Sequence, residues 1–142
     1  MQDEIAAAPS IDLHDPEFYL NRELSHLQFN LRVLEQAFDC RHPILERLRF
    51  VLICSSNMDE FCEIRVSGLK KQIQSGREET QVDGHHPQTL LKLINEQTHL
   101  AIEKQYDVLN NLLLPEFRQE NILFVLRDEW NEEQFKWTQA YF

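Results

Sequence analysis

An apolar stripe at helical spacing constrains this chain more than any other feature. Leu27, Leu31, Leu34 and Phe38 recur at i, i+4, i+7 and i+11, which aligns them along one face of a helix. Two further stretches precede the loop that follows. One carries Ile44, Leu45, Leu48, Val51 and Leu52, with Pro43 placed to open it. The next carries Met58, Phe61, Cys62, Val66, Leu69 and Ile73. A long fourth stretch starts at Pro87 and runs through Leu90, Leu91, Ile94, Ala101, Ile102, Leu109, Leu112 and Leu113. The chain has only 3 glycines, few for a sheet-rich protein with many tight turns. The expected fold is therefore mainly α, an antiparallel helical bundle around an amphipathic core.

Local signals predict where these helices start and stop. Ser25 and Gln28 have the spacing of a capping box, flanked by Leu24 and Phe29 as a hydrophobic staple. Cys54-Ser55-Ser56-Asn57 reads as an interruption, after which Asn57 and Glu60 cap a new helix. Gly76 is the expected C-cap of that helix, with Lys70, Lys71 and Arg77 near its negative end. Residues 75–86 read as a loop, and Pro115 as the stop of the long helix. Ile122-Leu123-Phe124-Val125-Leu126 reads as a short strand, followed by a helix capped by Asn131 or Asp128. The chain then stops at Tyr141-Phe142 inside an apolar pattern, as a cut chain would. Three parts are expected: a flexible arm over residues 1–16, a helical domain over 17–118, and a truncated strand-helix piece of a next domain over 119–142.

Composition narrows the functional classes. The net charge of −10 argues against nucleic-acid backbones and anionic membrane surfaces as partners. No apolar run is long enough to span a bilayer, and the acidic N-terminus is not a secretory signal. Cys40, Cys54 and Cys62 are odd in number and form no C-x-x-C pair. They read as small buried apolar residues of a reducing compartment, so the expected location is the cytoplasm.

The polar stretch Ser55–Phe61 is the most informative for chemistry. A helix N-terminus there would present free amides to a phosphate or a polar ring edge. Asn57 has a donor and an acceptor, as reading an adenine edge requires, but Asn is also among the commonest N-caps. Asp59 and Glu60 are adjacent and point about 100° apart on a helix, so they read as first-turn dipole partners, not as one acid–base site. His85-His86 lacks ligands at metal-binding spacing and reads as solvated surface. His26 reads as neutral packing, and His14, His42 and His99 have no partner pattern. Arg65, Lys70, Lys71 and Arg77 form a modest basic face, with Arg65 placed to pair with Glu63, Asp59 or a ligand phosphate. Glycine-rich phosphate loops, G-x-S-x-G and H-E-x-x-H are all absent.

Three blocks together carry a family resemblance. Tyr19–Asn30 with Arg32-Val33-Leu34, then Pro43–Phe50, then Ser55–Phe61 with Ile64-Arg65-Val66, resemble in order and spacing the opening of bacterial polyphosphate kinase. The resemblance implies an enzyme that reversibly makes inorganic polyphosphate from ATP through a phosphohistidine, with Mg2+. It implies four domains, of which this chain is similar to the helical N-terminal one and the first part of the head domain. It implies that Asn57 contacts ATP, and that the catalytic histidines and magnesium ligands lie in other domains. None of the six histidines here inherits the phosphohistidine role, so these 142 residues alone are expected to be inactive. ATP and polyphosphate, the head and C-terminal domains, and a homo-oligomer are the implied partners. Three positions depart from the family's usual residues: His26 stands where Trp is usual, Met58 where Leu is, and Cys62 where an aromatic is. The rival reading is a standalone helical protein-interaction module without a ligand.

Overall fold

A computed structural model describes residues 12–77 and 79–142. Three helical rods make the bundle. The first is α1, Arg22–Glu35. The second joins α2, Ile44–Glu60, to α3, Ser67–Gln74, through a π-helical segment at Phe61–Val66. The third joins α4, Pro87–Asp107, to α5, Leu114–Gln119, through a π-helical segment at Val108–Leu113. A last helix, α6, spans Glu132–Tyr141 and buries no residue.

Cross-rod contacts give the directions. Along α1 and the 3-10 turn that follows it at Gln36–Phe38, His26 meets Phe61, Asn30 meets Cys54, and Ala37 meets Arg47, so the first two rods are antiparallel. Gln28 meets Gln97 and Glu35 meets Lys104, so α1 and α4 are parallel. The core between the rods is aliphatic and aromatic, from Leu27 and Leu34 on α1 to Leu113 and Phe117 on the third rod. The antiparallel bundle is as the apolar spacing predicts.

Several boundaries differ from expectation, each for a physical reason. The N-cap of α1 is Asn21, not Ser25: its Oδ1 accepts from the Leu24 amide at 3.0 Å. Ser25 and Gln28 therefore lie inside the helix, and the Leu24–Phe29 staple does not form. No break occurs at Cys54–Asn57; the second rod is continuous from Ile44 to Gln74. Pro115 does not stop the third rod. The π-helical turn ending at Leu113 widens the backbone just where a proline ring would crowd the carbonyl behind it. Ile122–Leu126 forms no strand, since no strand among the described residues is there to pair with it. It is an irregular run, pinned by Phe124 against Phe117 and by the Trp130 indole donating to the Val125 carbonyl.

Other signals are borne out. Pro87 opens α4 and Asn131 caps α6 in a reciprocal pair with Gln134. Gly76 follows α3 at φ +70°, with its amide on the Ile73 carbonyl and that of Arg77 on the Gln72 carbonyl. The third rod ends the same way, with Asn121 in the left-handed position and the Ile122 amide on the Phe117 carbonyl. Most of the arm expected over residues 1–16 lies outside the described residues; Pro16–Phe18 forms a 3-10 turn capped by Asp15. No helix among the described residues is long and apolar enough to cross a membrane.

Candidate functional site

The site grows out of a polar residue in an apolar position. On α1 the buried residues are Leu27, Asn30 and Leu34, a spacing at which Asn30 faces the core. Asn30 is only 3% exposed. A buried carboxamide is costly unless its donor and acceptor are both met. Here both are. Nδ2 of Asn30 donates to the Cys54 carbonyl at 3.0 Å, and Oδ1 accepts from Nδ2 of Asn57 at 3.1 Å. Asn57 is half-buried, and its Oδ1 and second amide hydrogen make no hydrogen bond among the described residues. It presents an acceptor beside a donor, the pattern that suits an adenine edge.

This corrects the helix-cap reading. Asn57 sits in the last turn of α2, with helix continuing beyond it, so it caps nothing. No row of free amides exists there to cradle a phosphate. Asp59 and Glu60 are not first-turn residues either; both are exposed on the continuous rod. Arg65 lies in the π-helical segment and forms no ion pair among the described residues. It lines a shallow cleft of about 220 Å³ with Arg22, Glu23, Gln72 and Gln81. Lys70, Lys71 and Arg77 are exposed.

The remaining candidates divide between core and surface. His26 is exposed and stands edge-on to Phe61, ring centroids 5.3 Å apart. Met58 is buried in the core. Cys54 is buried and its thiol is pushed up by desolvation, whereas Cys40 and Cys62 are exposed, against expectation. Burial and the Asp59 carboxylate push the Cys62 thiol up as well. No group of three His, Cys, Asp or Glu residues that could hold a metal occurs among the described residues.

Sequence reasoning missed a second cluster, around Asn21. Asn21 is 7% exposed, and its Nδ2 donates to Gln81 and Asp83 in the loop before α4. Asp83 also accepts from the His85 amide at 3.1 Å. Burial pushes the Asp83 carboxyl up, but these hydrogen bonds and the nearby His85 outweigh it and hold it below the usual range. The cluster ties the start of α1 to the loop.

A three-rod helical domain with a polar pair between its first two rods is the class that the geometry defines. The family model for the polyphosphate kinase N-terminal domain matches residues 19–125. The chain is 51% identical to a polyphosphate kinase of Pseudomonas putida over 136 residues, 96% of this chain and 18% of that protein. It is 50% identical to the Pseudomonas syringae enzyme of that name over 95% of the chain, and 46% identical to that of Burkholderia cenocepacia over 87%, again 18% of each relative. No solved structure matches. The chain belongs to the polyphosphate kinase N-terminal domain family, and spans less than a fifth of the length of these relatives.

Proposed function

We propose that this chain is the nucleotide-positioning domain of an enzyme that reversibly transfers the terminal phosphate of ATP to inorganic polyphosphate through a phosphohistidine. Residues 17–118 are its helical domain and 119–142 begin the head domain. The phosphohistidine and the Mg2+ ligands belong to other domains, and the enzyme is a cytoplasmic homo-oligomer. Phosphoryl transfer depends on position and charge stabilisation more than on covalent help from the protein. A domain that only orients ATP therefore contributes directly to rate. The observation that carries this reading is Asn57: it lies in the Ser55–Phe61 block that carries the family resemblance, and its carboxamide keeps an acceptor and a donor unused by the fold.

The test uses the full-length enzyme. Asn57→Ala is expected to raise KM for ATP about tenfold, the loss of one good hydrogen-bonded contact, with kcat within about threefold. An unchanged KM in a folded variant overturns the assignment of Asn57. Polyphosphate synthesis by residues 1–142 alone would overturn the division of labour between domains.

A further inference from the structure

We infer that Asn30 is a positioning residue of the nucleotide site, holding the Asn57 carboxamide in the orientation that meets ATP. The inference rests on the reading of Asn57 above and goes beyond it to a residue that touches no nucleotide.

Three observations carry it. First, Asn30 occupies a core position between Leu27 and Leu34, where an apolar side chain would extend the stripe without desolvating an amide. Second, its own orientation is dictated by backbone. The Cys54 carbonyl is fixed in α2, and it takes the Asn30 amide at 3.0 Å. That leaves the Asn30 Oδ1 facing Asn57, whose Nδ2 donates to it at 3.1 Å. Third, an unrestrained asparagine turns about a soft terminal torsion with two comparable orientations that exchange its donor and acceptor. Pinned by Asn30, Asn57 keeps one orientation. The same Oδ1 and N–H then face away from α1 at every turnover, with no ordering cost on binding.

The rival account is that Asn30 only pins α1 to α2. A double-mutant cycle in the full-length enzyme separates the two. Asn30→Ala is expected to raise KM for ATP about three- to tenfold with kcat within about twofold. In the Asn57→Ala background the same change is expected to add less than about 1.5-fold, because there is no carboxamide left to orient. Asn30→Asp retains an acceptor toward Asn57 but cannot donate to Cys54 when ionised. It should lower Tm while keeping KM within about twofold of the parent.

A persistent KM rise from Asn30→Ala in the Asn57→Ala background overturns the inference and supports the purely structural account. So does an unchanged KM in folded Asn30→Ala when Asn57→Ala alone raises it; the Asn57 reading then survives. If Asn57→Ala itself leaves KM unchanged, both readings fall. Should Asn30→Ala yield no folded enzyme, Asn30→Asp decides: a KM that stays put despite a lower Tm supports the inference, and one that rises to the Asn57→Ala value overturns it.

Discussion

Arg47 lies on the buried face of α2 with Val51, Cys54 and Met58, and is 3% exposed. Its Nε donates to the Ala37 carbonyl at 2.7 Å, and its guanidinium grips both oxygens of Glu116 on α5. Glu116 keeps about a third of its side chain in solvent, so the two partners are unequal. Removing Glu116 leaves a buried cation without its counter-charge. Glu116→Leu is expected to cost about 3 kcal/mol, and Arg47→Met/Glu116→Leu to recover most of that loss in denaturant unfolding. Neither Arg47 nor Asn30 is recognisable as buried from its own type. The spacing Arg47, Val51, Cys54, Met58 is a stripe at i, i+4, i+7 and i+11, but an arginine at its head reads as polar surface until its partner is known. Asn57 was legible as a residue of interest; that its amide is held by Asn30 was not.

At the scale of elements, the π-helical segments keep the buried face of each long rod in register. Buried residues run Met58, Phe61, Val66, Leu69, and again Val108, Leu113, Phe117. Each series contains one gap of five among gaps of three and four. An α-helix with that gap would turn the later residues off the core face. A single wide turn absorbs the extra residue and keeps them on it. The apolar pattern of the sequence runs straight through both gaps; the expected break comes from the polar Ser55-Ser56-Asn57 and the expected stop from Pro115. Caps separate elements that matter to the bundle from those that do not. Asn21 caps α1 and also holds Gln81 and Asp83, so Asn21→Ala is expected to cost about 2–3 kcal/mol and lower the global Tm by several degrees. Asn131 caps α6, which buries nothing. Asn131→Ala is expected to lose protection against hydrogen exchange over 132–141 while the bundle's Tm stays unchanged.

Across the whole molecule, acid brings opposing effects. The chain carries a net charge of −10, so lowering the pH toward its pI of about 5.0 relieves self-repulsion. Below that, Asp83 works the other way. Its carboxyl is held below its unfolded value, near 3.9, so its stabilisation is complete above that value and lost as the pH falls through the folded one. The Tm gap between the parent and Asp83→Asn is therefore expected to be constant above about pH 5 and to close below about pH 4. A gap that persists unchanged at acid pH would remove Asp83 from that role. The sequence by itself determined the mainly helical class, the loop before Pro87, the Gly76 cap, the last helix with Asn131 or Asp128 as its cap, and the family, because spacing, turn chemistry and residue order are local properties. Tertiary structure alone decided that Asn30 and Arg47 are buried, that Pro115 stays inside a rod, and that Ile122–Leu126 finds no strand to pair with among the described residues. Pro115 stays in its rod because of the wide turn beside it; the others depend on which group from a distant part of the chain satisfies a hydrogen bond, a charge or a strand edge, and local spacing carries no record of that partner.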